Sequence, residues 1–327
     1  MTMQKPAESQ IGVVLLNLGG PEHLEDVESF LFNLFSDRQI IRLSPLPFLQ
    51  KPLARFIARR RAPKSCKAYQ QIGGGSPLRT ITARQGEVLA EQLAPLGSFQ
   101  VDMAMRYWHP DARQTLTAMG KKGITRIVAL TLYPHYSKAT TGSSIADLAR
   151  VAEELPYPFE IAAVEAWPDQ PDYIASLVRG VHSAFDRCPG TPTLIYSAHS
   201  LPMKFIEEGD PYLHDLAKTI VEVEEKTGIR GKLCFQSRSG PVKWLSPSTP
   251  DTLLELAAKG VQEVVVMPIS FVSDHVETLY EIDIQYAELA RELGMRLVRT
   301  SSLNDEPRFI KGLAKLVIAA CRGKKWL

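Results

Sequence analysis

The strongest constraint on this chain is its alternation of short apolar, β-branched runs with longer amphipathic stretches. The runs are Ile11–Leu18, Phe99–Met105, Arg126–Tyr133, Phe159–Val164, Thr193–Ala198, Lys232–Gln236, Glu263–Phe271 and Met295–Arg299. Several are apolar on consecutive residues, as expected of strands covered on both faces. Helical periodicity fills the intervals at Thr82–Leu93, Asp111–Met119, Tyr212–Lys226, Thr252–Lys259, Glu277–Leu293 and Pro307–Cys321. This alternation predicts an α/β fold with parallel sheets. A length of 327 residues accommodates two domains of ordinary size. The Pro-rich stretch Trp167–Asp172 suits the boundary, giving domains of 1–167 and 168–327 with the last helix free to pack back on the first.

A faint internal repeat supports two similar halves. Thr115-Leu116, Lys122-Gly123 and Val128 recur 137 residues later as Thr252-Leu253, Lys259-Gly260 and Val265. Each copy reads as a helix ending at Lys-Gly, where the glycine suits a left-handed cap, followed by a buried strand. Two open sheets facing each other would bind ligands outside the carboxyl ends of their strands.

Composition narrows the class. Hydrophobic residues are 45% and charged residues 23%, with a net charge of +2, a globular balance that by itself gives no reason to expect a nucleic-acid partner. Cys66, Cys188, Cys234 and Cys321 form no CxxC pair and read as reduced thiols in the cytoplasm. The opening MTMQKPAESQ is polar, and the apolar run after it ends in Gly-Gly-Pro, so it reads as a strand and not as a cleaved leader. No run approaches the ~18 apolar residues of a spanning helix.

The strand ends carry the chemistry. They read NLGGP at 17–21, RYWHP at 106–110, YPHYS at 133–137, SAHSLP at 197–202, QSRSGP at 236–241 and SDHVE at 273–277. A structural rim would carry mostly Gly, Asn and Asp; His, Tyr, Arg and Trp together point to a site. His199 is a candidate base or metal ligand because a neutral imidazole does either near pH 7. Asp274, Glu277 and Glu281, spaced i, i+3 and i+7, would share one helix face and could guide a hard cation or relay protons. Lys51–Lys64 holds six basic residues, no acid and an apolar i, i+3, i+4 set at Leu53, Phe56 and Ile57. With Pro47, Phe48 and Leu49 before it, this stretch suggests a membrane surface or an anionic amphiphilic ligand. The GGGSP run that follows lacks the Gly-Lys-Ser/Thr of a phosphate loop and fits a hinge, or a backbone approach to a flat ligand.

Together these strings resemble the ferrochelatases, from about Gly12 to Val317 and in the family's order: NLGGP, RRAPK with IGGGSP, RYWHP, YPHYS with TTGSS, SAHSLP, QSRSGPVKWL and SDHVETLYEID. The resemblance implies a chelatase-like fold of two Rossmann-like domains, each with a parallel sheet, and a porphyrin cleft between them. It implies insertion of Fe²⁺ into protoporphyrin IX with release of two protons, the terminal step of haem biosynthesis. His199 and Glu277 would be the catalytic, metal-contacting pair, facing each other across the substrate, with His275, Asp274 and Glu281 in support. Tyr133, Arg106 and Tyr107 would line the cleft, Arg60, Arg61 and Ser76 would meet the propionates, and Trp244 would pack near the macrocycle. Lys138 and the C-terminal sequence CRGKKWL stand where cluster-bearing members have cysteines, so no [2Fe–2S] cluster is expected and no permanently bound cofactor. Leu18 tilts the substrate toward protoporphyrin, coproporphyrin being the alternative, and a non-catalytic tetrapyrrole or metal carrier would share the cleft.

The chemistry requires these residue types. A bent porphyrin presents its nitrogen lone pairs, a base near neutrality removes the pyrrole protons, and one imidazole with one carboxylate binds iron weakly enough to release it. Peripheral contact through 47–64 with the inner face of the membrane would suit a poorly soluble substrate. The sequence leaves the oligomeric state undefined.

Overall fold

The structure is a computed structural model that describes residues 10–327; the polar opening residues 1–9 lie outside the described residues. Among the described residues eight strands run in chain order as β1 (Ile11–Asn17), β2 (Phe99–Met105), β3 (Arg126–Thr131), β4 (Glu160–Val164), β5 (Thr193–His199), β6 (Gly231–Gln236), β7 (Glu263–Pro268) and β8 (Arg296–Arg299). The helices are α1 (Val27–Ser36), α2 (Gln50–Gln71), α3 (Leu78–Leu93), α4 (Ala112–Lys121), α5 (Ser143–Glu154), α6 (Pro171–Phe185), α7 (Met203–Glu207), α8 (Tyr212–Thr227), α9 (Thr249–Ala258), α10 (Ala287–Glu292) and α11 (Pro307–Gly323).

Two four-stranded sheets form, ordered β2-β1-β3-β4 and β6-β5-β7-β8, parallel throughout. The strand order is the same in both. The chain leaves β1 toward one edge and returns to β3 on its other side; β5 and β7 stand in the same relation. Between such strands the loops diverge and leave a crevice at the carboxyl ends. The repeat seen in the sequence maps onto α4–β3 and α9–β7, and its glycines, Gly123 and Gly260, have φ of 75° and 78°.

Strand ends differ from the sequence reading where backbone chemistry intervenes. The run Glu263–Phe271 stops as a strand at Pro268, which has no N–H to carry the ladder onward. The stretch Glu277–Leu293 is a π-helix over Glu277–Tyr286 before it tightens into α10. Helices α1, α5, α6 and the short α7 have no counterpart among the periodic stretches.

The largest core cluster spans both sheets: Val13, Leu15, Val128 and Leu130 from the first, with Leu194, Tyr196, Val265 and Met267 from the second. Helix α11 lies against α3, α6, β3 and β4, burying Phe309, Leu313, Val317 and Cys321 at intervals of four. Each large apolar side chain buried this way contributes roughly 1.5–3 kcal/mol. A separate cluster joins α1 and α2 through Val27, Phe30, Phe35, Ala54 and Ala58, with Val276 packed against it just ahead of the π-helix.

Candidate functional site

His199 is the last residue of β5, and Glu277 opens the π-helix that follows β7, so both stand at the crevice of the second sheet. The Nδ1 of His199 and Oε2 of Glu277 are 2.8 Å apart. The two residues are therefore hydrogen-bonded to each other on one side of the site. This corrects the expectation that they face each other across a substrate. The His199 amide donates to Ser270 Oγ at 2.8 Å, and its carbonyl accepts from the Tyr212 hydroxyl at 3.0 Å. With backbone and Nδ1 both held, Nε2 is the nitrogen left to meet a substrate. The ring of Phe271 stands edge-on, 6.2 Å from the imidazole and 4.4 Å from that of His275.

Burial works against a charged His199, yet the Glu277 charge and hydrogen bond, with Glu281 beyond, hold its pKa above the ordinary value. Burial likewise opposes ionisation of Glu277, but His199, His275 and Ser237 bring that carboxyl down to about 2. Glu281 goes the other way: burial and the neighbouring Glu277 charge push it up to about 7. His275 is kept below its usual value, first by burial, and its Nδ1 lies 3.0 Å from the Ser273 carbonyl. One side chain is thus biased toward carrying a proton and its partner toward carrying charge, the poise of an acid–base site.

Only two of the three acids expected on one face are there. Asp274 precedes the helix and turns to Arg299, 3.0 Å away, while accepting from Ser302, Asn304 and Thr278. It anchors the start of the segment; the relay role expected of it does not fit a carboxylate already committed to a guanidinium.

The first sheet contributes a second polar cluster. Arg106 meets Asp37 at 2.6 Å, Ser143 at 2.8 Å and Asp147 at 3.7 Å. Tyr107 is 3% exposed and gives its hydroxyl to Asp37 at 2.7 Å. Tyr107 therefore braces Asp37 from the core instead of lining a cleft. Tyr133 is half-buried, with a hydroxyl that has no partner, as has the nearby Ser144 hydroxyl. Trp244 bridges Pro202, beside the SAHSLP strand end, and its indole N–H is also unpartnered.

At the outer edge, Arg61 on α2 stacks over Phe35, 5.4 Å from the ring centroid, and bonds Ser239 on the loop after β6. Arg60 is exposed. Ser76 is held by Pro21: its amide donates to the Pro21 carbonyl at 2.7 Å. The glycine before it explains itself here. A Cβ on Gly75 would lie 1.9 Å from the Glu22 carbonyl oxygen, so the close approach is to the chain's own NLGGP loop and not to a ligand.

Several residues in this network escaped the sequence reading. Asp37 follows α1 and looks like a loop acid. Tyr69 is buried on α2, where burial and the Glu277 charge raise its pKa. Ser237 gives two short contacts to the π-helix acids, 2.7 Å to Glu277 and 2.6 Å to Glu281. QSRSGP marked the loop as polar, but no local signal identifies which of its serines turns inward. Among the described residues no group of three or more His, Cys, Asp or Glu could hold a metal ion. A metal here would meet two of these side chains at a time.

Comparison with known proteins is consistent along nearly the whole chain. The ferrochelatase family matches residues 10–321. A ferrochelatase of Desulfotalea psychrophila is 53% identical over 308 residues, covering 94% of this chain and 96% of that protein. One from Trichodesmium erythraeum is 45% identical and covers 95% of this chain and 83% of its own. Among solved structures, SirB from Bacillus subtilis with Fe³⁺ superposes with a TM-score of 0.55 at 13% identity, over 97% of each chain, a likeness of fold.

Proposed function

As this chain belongs to the ferrochelatase family, we propose that His199 and Glu277 are where it carries out the family's reaction, insertion of ferrous iron into a porphyrin. The enzyme is a lyase. The observation that carries the assignment is the 2.8 Å bond between His199 Nδ1 and Glu277 Oε2 at the crevice of the second sheet. Glu277 fixes the imidazole with Nε2 outward. That nitrogen takes a pyrrole proton when neutral, and Glu277 offsets the charge that results. The weak donor set meets Fe²⁺ as a substrate and gives it up to four pyrrole nitrogens. Arg60, Arg61 and Ser76 meet the porphyrin carboxylates at the mouth, and Arg61 exchanges Ser239 for a stronger, charge-assisted partner. Tyr133 and Trp244 offer their unpartnered polar atoms beside the macrocycle.

The test is insertion of Fe²⁺, under anaerobic conditions, and of Zn²⁺ into protoporphyrin, followed by absorbance. His199→Ala loses metal insertion while still binding porphyrin; full activity in that variant would refute the assignment. Leu18 beside the cleft favours protoporphyrin, and parallel assays with coproporphyrin decide between the two.

Three finer readings accompany this. The reading carries no [2Fe–2S] cluster, supported by Lys138 standing where cluster-bearing members have a cysteine and by four cysteines with no CxxC pair among them. The units are 1–167 and 168–327, supported by Trp167 bonding back to Thr131 and by Pro171 opening α6. Peripheral membrane contact runs through 47–64, where Phe48 is 72% and Phe56 64% exposed among Lys51, Arg55, Arg59 and Arg60. Among the described residues no helix is long and apolar enough to cross a membrane. Sedimentation with anionic vesicles at low salt tests the contact, and Phe48→Ser with Phe56→Ser abolishes it.

A further inference from the structure

Gln236 is the last residue of β6 and Ser237 follows it; a strand continued through both would point their side chains to opposite faces. Here they converge on the same turn of the π-helix. Gln236 Nε2 donates to the Glu277 carbonyl at 3.0 Å and to Glu281 Oε2 at 3.2 Å, and its own oxygen is fixed by Ser197 at 2.6 Å. Ser237 Oγ lies 2.7 Å from Glu277 Oε2 and 2.6 Å from Glu281 Oε2. What turns Ser237 inward is its backbone, with φ of 64°. A serine in this left-handed region costs about 1–2 kcal/mol. Such strain is kept where the surrounding structure has a use for it. Ser237 Oγ touches a carboxylate oxygen of each acid, whereas Gln236 reaches the carboxylate of Glu281 alone and His199 that of Glu277 alone.

We propose that Ser237 is a positioning residue for metal insertion: its hydroxyl, delivered by the left-handed backbone, holds Glu277 and Glu281 together so that the incoming cation meets both. This rests on the reading of His199 and Glu277 given above. Its action is specific to the cation. Porphyrin binding, which uses the mouth arginines, does not pass through Ser237.

Ser237→Gly removes the hydroxyl and keeps the backbone, since glycine adopts this φ freely. With Zn²⁺ and protoporphyrin, the KM for zinc rises about tenfold or more, the loss expected when a hydrogen bond to a charged group is removed. The KM for protoporphyrin stays at the parent value. Direct titration of Co²⁺ into the protein without porphyrin shows the same loss of affinity. Ser237→Ala, which also loses the hydroxyl but keeps a Cβ, gives the same split. An unchanged zinc KM in Ser237→Gly, or zinc and porphyrin KM values rising together, overturns the proposal. His199→Ala is run beside it. If that variant is inactive while Ser237→Gly behaves as the parent, the role of Ser237 fails and the site stands. If His199→Ala is active, the site itself fails.

Discussion

The His199–Glu277 bond fixes the direction of the pH response. An imidazole held above its ordinary pKa stays protonated further into the neutral range, and only its neutral form takes a pyrrole proton. Activity therefore rises with pH along a limb set above about 6.5. Glu277→Gln removes the charge that holds the proton, so the limb moves to lower pH while kcat/KM falls about a hundredfold. A pH–rate profile with Zn²⁺ and protoporphyrin checks both; a limb that does not move would mean another group titrates. Glu281 gives a complementary prediction. Its carboxyl keeps a proton to about 7 when folded, whereas the unfolded chain releases it near the ordinary value of about 4.5. The unfolded state is thus favoured progressively as pH rises through that window. Glu281→Gln removes the slope and is the more stable protein at pH 8, by on the order of 1–3 kcal/mol, and no more stable at pH 4. Urea denaturation at the two pH values measures it. The sequence could name His199 and Glu277 because their strings are distinctive. It could not show that they bond to each other, or that Asp274 is committed to Arg299, because those partners lie across the fold.

At the scale of elements, the π-helix is the part the sequence hid most completely. Apolar and acidic positions at i, i+3 and i+4 fit an α-helix as well as a wider turn, so Glu277–Tyr286 reads as α until its hydrogen bonds are seen. The first half carries a shorter π-turn of its own, Lys138–Gly142, after the equivalent strand β3. The offset of the repeat brings Thr140 onto Glu277 and Ser144 onto Glu281, so the acids belong to one half only. The two halves share a frame and differ in chemistry at the turn that closes the crevice. The GGGSP segment was equally ambiguous: its glycines announce a close approach without saying to what. Gly75→Ala puts a Cβ against a backbone carbonyl that has no rotamer by which to retreat. That substitution destabilises by about 1–3 kcal/mol and raises the porphyrin KM through displacement of Ser76, with the zinc KM unchanged. Chemical denaturation and steady-state kinetics read the two effects; a stable variant with parent kinetics would show that the loop can move.

For the molecule as a whole, the alternation of runs sufficed to predict two parallel sheets, but not how they are joined. The seam is polar as well as apolar. Asp210 accepts from Ser137 and from the Lys138 amide, Asp215 from the Tyr136 amide, and Gln85 of α3 donates to Ser273 and the Asn304 carbonyl. Helix α11 adds an apolar tie, packing on α6 of the second half and on α3, β3 and β4 of the first. Such a seam predicts one cooperative unfolding transition, not two. His135 sits within it and sets its pH sensitivity. Thr219 donates its hydroxyl hydrogen to the Pro168 carbonyl at 2.6 Å, so toward His135 Nε2, 2.9 Å away, it accepts. The proton is therefore on Nε2, and Nδ1 is a bare acceptor buried without a partner. Burial lowers this imidazole to about 3. The unfolded chain takes a proton below about 6.5 that the folded chain refuses, so stability drains away as pH falls from 6.5 toward 3. At pH 5 the cost is about 2 kcal/mol. His135→Phe keeps the ring and has nothing to protonate. It loses the Thr219 contact at every pH, a constant penalty of about 1 kcal/mol, and recovers the pH-dependent cost on acidification. The difference in stability between variant and parent therefore shifts in the variant's favour by about 2 kcal/mol between pH 8 and pH 5. Urea midpoints at the two pH values show it. A difference that stays constant would mean that His135 is protonated in the fold and that the seam holds a partner for Nδ1.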